Sequence, residues 1–259
     1  MPAQAQIPEC RRSPLTGLVS ASRFEGSAQQ QYAQLLSQAQ GKGERVAPDD
    51  AQLQRLRYIA QRIVPFTPEC NERAAQWRWE VNLLKSQQIN AFCMPGGKIA
   101  FYTGILRLLQ LDDDEVAMIM GHEVAHALLE HARERTVKSG GTELFLRGGA
   151  ALLGLGSLGD LAAQGLTQVA TLKFGRQDES EADSLGLILA ARAGYDPGAG
   201  VSLWKKMGTA TGGKSPPQWL STHPAGETRI KDIQAKLPAV QPLFRAAARP
   251  DRRFGPPPA

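Results

Sequence analysis

His122-Glu123-Val124-Ala125-His126 lies within Val116 to Arg135, a stretch that reads as one helix. At roughly 100° per residue, the two histidines sit about 40° apart, on one face and one turn from each other. Both imidazoles can therefore reach a single metal ion. Glu123 stands one step round the helix, beside any water held at that ion, where a carboxylate serves as general base. The chain has four histidines in all, which leaves little room for a chance match to this spacing. The plain alternative is a surface helix that happens to carry histidines, and its neighbours argue against it. Val116, Ala117, Ile119, Met120, Val124, Ala125, Leu128 and Leu129 make the helix apolar nearly all round, which marks a buried element. Buried polar groups need partners, and a metal ion with its water supplies them.

A third ligand is expected downstream, because catalytic zinc keeps three protein ligands and one open position. Arg176 to Asp183 opens a second helix running to about Ala193 and offers Glu179, Glu181 and Asp183. Glu179 and Asp183 share a face, while Glu181 points roughly the opposite way. The economical assignment makes Glu179 the ligand and Asp183 the acceptor that fixes the tautomer of a ligating histidine. A solvated acidic first turn is the alternative. It suits Asp178 and Glu181 better than Glu179.

These residues carry a resemblance. His122-Glu-Val-Ala-His126 is followed by Leu-Leu-Glu-His131, then by Arg176-x-x-Glu179-x-x-Ala182-Asp183, then by Ser221-Thr-His223-Pro224 with Arg229-Ile230. Asn90-Ala-Phe-Cys-Met-Pro95-Gly96-Gly97 through Thr103-Gly104 belongs to the same set. Together, over roughly residues 50 to 237, they resemble the HtpX/BepA-type zinc metallopeptidases. The resemblance implies a gluzincin fold of α+β class, mainly helical, with a small sheet or hairpin beside the metal helix. It also implies zinc-dependent endopeptidase activity, one zinc per chain, and Glu179 as third ligand. The sequence carries no membrane span of the kind embedded members have, and no helical-repeat extension of the BepA kind.

Composition agrees with a compact enzyme of 259 residues carrying a net charge of +5, part of it from Arg245, Arg249, Arg252 and Arg253. No basic stripe with interleaved aromatics occurs, which argues against nucleic acid as a partner. The modest basic excess is compatible with peripheral contact with a membrane or an outer-membrane protein. Met1 to Cys10 has neither a charged nor an apolar signal region. Ala3-Gln4-Ala5 nevertheless resembles the residues before a signal-peptidase cut, so we expect a periplasmic protein whose export signal has been removed. Cys10, Cys70 and Cys93 cannot form a disulfide framework. One Cys10–Cys70 bridge is compatible with the periplasm, and Cys93 in a strand is expected to be a buried free thiol.

Three regions follow: an N-terminal segment over 1–49, irregular to residue 27 and helical over 28–40; a peptidase domain over 50–237; and a Pro- and Arg-rich tail over 238–259 without packing pattern. Within the domain, helices are expected over 50–63, 103–111, 113–135 and 176–193, from Pro197 through Met207, and over 225–237. Residues 77–84 alternate as a half-buried strand, and 89–94 with 98–102 form a strand pair about Pro95-Gly96-Gly97. The Gly-, Ala- and Leu-rich stretch 143–174 is expected to be a buried helical hairpin, with a membrane-touching or mobile lid as alternative, and 208–218 a flexible loop.

The remaining roles concern catalysis and substrate. An oxyanion needs a further donor, for which His223 and Arg229 are the candidates. His223 can instead cap the metal as a fourth ligand, making the loop before it a gate; more plainly, it only starts the last helix while Arg229 pairs with a surface carboxylate. His131, nine residues past His122, falls on the opposite face of one continuous helix and is expected to make a structural hydrogen bond. Asn90, Ala91 and Phe92 are expected to bind substrate by adding an extended chain to a strand edge, which selects unfolded polypeptides. The second reading is a gated or inactive metal-binding, chaperone-like module; a weaker third is a non-proteolytic metal hydrolase. Retention of Glu123 favours the peptidase, since a structural site needs no base.

Overall fold

A computed structural model describes residues 10–140, 173–210, 218–223 and 227–258. Most of the stretch 143–174 and the loop 211–217 lie outside the described residues. The architecture is α+β and mainly helical, with a small three-stranded sheet.

Helix α1, Ala21–Gly41, starts earlier than expected. Ser20 caps it, accepting from Arg23 N, and Phe24, Ala28, Tyr32, Leu35, Leu36 and Ala39 repeat at helical spacing as its buried face. That face covers one side of the sheet, packing on Leu84, Phe92, Met94, Ala100 and Tyr102. The sheet comprises β1 (Glu80–Leu84), β2 (Ala91–Met94) and β3 (Lys98–Tyr102) in the order β1-β3-β2. β1 pairs parallel to β3, and β2 pairs antiparallel to it across the expected turn. The alternate residues Val81, Leu83, Ala91, Cys93, Ile99 and Phe101 face the main core on the other side. The strand expected to be half-buried is thus covered on both faces, because the longer α1 supplies a second apolar layer.

Helix α2, Ala51–Ile63, is capped by Asp50 and buries Leu53, Leu56, Ile59 and Ile63. A short α3, Thr103–Leu108, leads to the metal helix α4, Asp113–Leu128. Asp112 and Glu115 form a reciprocal capping box at its start. There Arg55 of α2, fully buried, bonds Asp113 at 2.6 Å and the Leu111 carbonyl at 2.7 Å. At its other end Asn71 Nδ2 donates to the Leu128 carbonyl at 3.0 Å.

The helix expected to run to Arg135 breaks there. Glu130 adopts a left-handed conformation, φ 59°, and a separate α5 begins at His131 and runs to Lys138. Its side chain receives a hydrogen bond from Arg133 at 2.7 Å, within reach of Arg12.

Helix α6, Arg176–Arg192, lies against α4. Gly121 and Gly186 make this approach close: a Cβ on Gly186 would stand 2.7 Å from the His122 backbone nitrogen, and one on Gly121 2.7 Å from the Gly186 carbonyl. The glycine pair thus sets the distance between the two metal-site helices. Helices α7 (Ala199–Thr209), α8 (Gln218–Thr222) and α9 (Glu227–Ala246) complete the fold.

α9 crosses the expected boundary at Leu237 and contains Pro238 and Pro242. Each proline removes an internal hydrogen bond. Burial of Ile233 and Val240, with Leu243 and Phe244 packed on the core, holds the helix together across them. The tail is also not loose. Phe254 N bonds Asp113 Oδ2 at 2.8 Å, Arg253 pairs with Asp114 at 2.9 Å, and Tyr58 and Arg62 of α2 bond Asp251 and the Ala248 carbonyl. Polar pairing, which leaves no hydrophobic period, is what anchors it. Cys10 and Cys70 are disulfide-bonded, and Cys93 is a buried free thiol.

Candidate metal centre

His122, His126, Glu179 and His223 converge, each buried, with one ligand atom from each lying within 4.8 Å of all the others. α4 supplies both helical histidines one turn apart, α6 supplies Glu179 from its first turn, and the residue after α8 supplies His223. His122 Nε2 lies 3.0 Å from His126 Nε2 and 3.2 Å from His223 Nδ1. Glu179 Oε1 lies 2.9 Å from His223 Nδ1 and 3.4 Å from His126 Nε2. A tetrahedron with zinc-like bonds of about 2.0–2.2 Å has edges of about 3.3–3.6 Å, so these four atoms are spaced to surround one such ion, slightly contracted.

The donor chemistry fits as well. His122 Nδ1 bonds Asp183 Oδ1 at 2.9 Å. A carboxylate only accepts, so Nδ1 carries the proton and Nε2 is left bare. A bare imidazole nitrogen buried beside a carboxylate and two further imidazoles calls for a cation. Burial pushes the His122 pKa down to about 3, which keeps the ring neutral, as a metal ligand must be.

Behind the donors stands Arg229 of α9. Its Nε bonds Asp183 Oδ2 at 2.6 Å, its Nη2 bonds Asp183 Oδ1 at 2.8 Å, and its Nη1 pairs with Glu179 Oε2. The guanidinium lies 3.8 Å over the Trp204 ring. Burial alone would raise both carboxylates. For Asp183 the Arg229 charge and hydrogen bonds outweigh it; for Glu179 the neighbouring His223 and His126 do so, and both stay well below the usual range. Arg229 was expected as an oxyanion donor, but its bonds are to the carboxylates that hold the site together. That geometry is one of positioning.

Glu123 faces the same space from α4. Burial raises its pKa to about 7, against the pull of His126 and of Trp219, whose Nε1 donates to Oε1 at 2.7 Å. A carboxylate poised near neutrality can both take and return a proton. His223 Nε2 lies 3.5 Å from Glu123 Oε1. One histidine therefore touches the donor set with one nitrogen and the base with the other.

β2 is an edge strand, and Ala91, Phe92 and Cys93 line a narrow cavity with Glu123, His126, Ala127, Ala132, Phe174, Thr222 and His223. Asn90 is buried just before that strand; its side-chain oxygen accepts from Ala91 N, while its Nδ2 has no hydrogen-bond partner among the described residues. Phe174 stacks on His126 with centroids 4.1 Å apart, and its backbone N donates to the Thr222 carbonyl at 3.2 Å. Nothing in the sequence singled Phe174 out, since an aromatic before a helix has no periodic signature. His131 is not in the donor set. Its Nδ1 lies 2.8 Å from His126 Nδ1, because the break at Glu130 turns it back instead of leaving it on the far face.

The sequence profile of Peptidase family M48 matches residues 51–237. The chain is 39% identical over 153 residues to the Mitochondrial metalloendopeptidase OMA1 of Arabidopsis thaliana, covering 59% of this chain and 30% of that protein. It is 30% identical over 249 residues to the mitochondrial Metalloendopeptidase OMA1 of Homo sapiens, covering 87% and 45%. With the Beta-barrel assembly-enhancing protease of Escherichia coli (strain K12) it shares 29% over 170 residues, covering 62% and 35%. The chain thus spans less than half the length of these relatives. The expected HtpX/BepA-type resemblance is refined, since these OMA1 proteins match at higher identity than the β-barrel relative does. On the strength of the profile match, the chain belongs to peptidase family M48.

Proposed function

We propose that this chain is a zinc-dependent endopeptidase that cuts unfolded or misfolded polypeptides. The observation that carries it is the placement of Glu123, a buried carboxylate raised to about 7, beside a set of four converging metal donors. His122, His126 and Glu179 would hold the ion, with Asp183 orienting His122. Bound there, zinc would supply Lewis acidity to the attacking water and to the scissile carbonyl. Glu123 accepts the proton of that water and later returns it to the leaving amine. Trp219 keeps the Glu123 carboxylate in place through its indole N–H.

The substrate reading rests on β2, an edge strand bordering the metal helix. An extended chain added along Asn90, Ala91 and Phe92 would be bound through main-chain groups, a mode closed to folded proteins. For location, the Cys10–Cys70 bond supports an oxidising compartment such as the periplasm. Among the described residues no helix is long and apolar enough to cross a membrane. The names of the relatives point to mitochondria for one group and to β-barrel assembly for the other. Contact with outer-membrane proteins therefore belongs to this proposal.

The position of His223 favours a second state of the same enzyme. With Nδ1 in the donor set, His223 would take the position that a substrate needs open. Helix α8, which carries His223 just past its end, would then move with the gate expected before it, and the gated or chaperone-like reading describes that closed form. The test is cleavage of one protein in native and denatured forms by wild type, Glu123→Gln and His223→Ala. We expect cleavage of the denatured form only, its loss in Glu123→Gln, and faster basal cleavage in His223→Ala. Equal cleavage of native and denatured forms would refute the substrate class. Undiminished cleavage by Glu123→Gln would refute the mechanism.

A further inference from the structure

His126 and His131 meet through like atoms, Nδ1 to Nδ1, at 2.8 Å, and both rings are buried. Such a bond forms only if one nitrogen carries the proton and the other is bare. The geometry alone leaves two arrangements. In one, His126 Nδ1–H donates, and Nε2 of His126 has its lone pair free toward the donor set. In the other, His131 donates, and a neutral His126 presents an N–H where a metal ligand must be bare.

The far side of His131 breaks the tie. Its Nε2 lies 3.2 Å from Glu181 Oε2, on α6. Glu181 is 41% exposed, and its other oxygen accepts from Gln177 Nε2 at 2.8 Å. An exposed carboxylate only accepts, so His131 Nε2 must carry the hydrogen. Neutral His131 is then bare at Nδ1 and accepts from His126. We infer that His131 is a positioning residue: turned back by the left-handed Glu130 and anchored by Glu181, it holds His126 with Nδ1 protonated and Nε2 free for the metal. This rests on the zinc reading above and extends it to a residue outside the donor set. It also gives Glu181, which points away from Glu179 and Asp183 on α6, a task at the metal through two hydrogen bonds.

The test is zinc affinity of the full chain, by competition with a chromophoric chelator, for wild type, His131→Asn, His131→Phe and Glu181→Ala. Asparagine keeps an acceptor where Nδ1 stands, while phenylalanine keeps the ring without it. Loss of a bond that orients a metal-binding histidine weakens affinity about 10- to 100-fold, which is expected for His131→Phe. His131→Asn should recover most of that loss. Glu181→Ala, at an exposed position, should weaken affinity about twofold to fivefold. Wild-type affinity in His131→Phe would overturn the inference, as would equal losses in Phe and Asn variants that melt like wild type, since that pattern means packing alone. Should His131→Phe not fold, the imidazole 15N spectrum of metal-free wild type decides. The Nδ1–H tautomer at His126 supports the inference, and the Nε2–H tautomer overturns it. A wild type that binds no zinc would overturn the metal centre itself, whereas one zinc per chain with an indifferent His131→Phe would sink the positioning role alone.

Discussion

His122 is backed by Asp183 and Arg229, which reach it from α6 and α9, whereas His126 is backed by His131 at the start of α5, just past a helix break. The first support is a buried carboxylate clamped by a guanidinium. The second is a neutral imidazole ending in a half-exposed carboxylate. Both leave Nε2 pointing at the same centre, but they depend on different parts of the fold. The His122 side needs α4 and α6 to touch, which the Gly121–Gly186 contact allows. The His126 side needs α4 to stop after Leu128, so that His131 can fold back. One support is tertiary and charged; the other is local and neutral.

Asp183→Ala attacks the charged support and should have the largest effect. It strips Arg229 of its bidentate partner and His122 of its acceptor in a buried setting. We expect a stability loss of about 3 kcal/mol by denaturant titration, since the buried Arg229 guanidinium keeps only Glu179 as its carboxylate partner. Zinc affinity should also drop about 100-fold. A loss no larger than that of His131→Phe would erase the distinction between the two supports.

Gly186→Ala tests the helix contact behind the same support. The new Cβ meets His122 N, Gly121 C and His122 Cα at 2.7, 2.9 and 3.0 Å, all backbone atoms that cannot turn aside. The helices must separate, at about 1–3 kcal/mol. Chemical denaturation measures the cost, and weaker zinc binding should accompany it, because Glu179 and Asp183 ride on α6.

Asn71→Ala tests the local support. It leaves the buried Leu128 carbonyl without its side-chain donor at the point where α4 ends. The expected cost is about 1–2 kcal/mol. Zinc affinity should fall with it only to the extent that His131 shifts, so a weakening equal to that of Gly186→Ala would contradict the comparison.

Glu69→Gln serves as a control at the exposed end of α6. The pair with Arg192 is bidentate, at 2.6 Å for both bonds, but Glu69 is 45% exposed. Its hydrogen bonds to Arg192 hold the Glu69 carboxyl below its ordinary value. The folded value is thus depressed, so this contribution is present above the ordinary glutamate pKa of about 4.3 and is lost as pH falls through the lower folded value. After solvent screening it should amount to less than about 1 kcal/mol, read as a melting difference that vanishes in acid.

The metal helix and the α6 carboxylates were legible because helical spacing alone puts His122 with His126 and Glu179 with Asp183. His131 was placed on the wrong face, since nothing in Leu128-Leu-Glu-His131 announces a stop: no glycine or proline stands there, and Glu130 itself takes the left-handed turn. The surroundings of Arg229 were hidden for another reason. Its partners lie on α6 and α7, and a sequence does not say which carboxylate a distant arginine will meet. Pro238 and Pro242 argued for an irregular tail, and burial of Val240 and its neighbours overrode that local preference. The charged strap from Ala248 to Pro257 docks through polar pairs, which carry no period to read.

The most direct test of the metal centre is the zinc content per chain of wild type, His223→Ala and His122→Ala after dialysis against a weak chelator. The account expects one zinc in wild type and in His223→Ala, which keeps His122, His126 and Glu179, and none in His122→Ala. Wild type without zinc, or His122→Ala with a full equivalent, would contradict it.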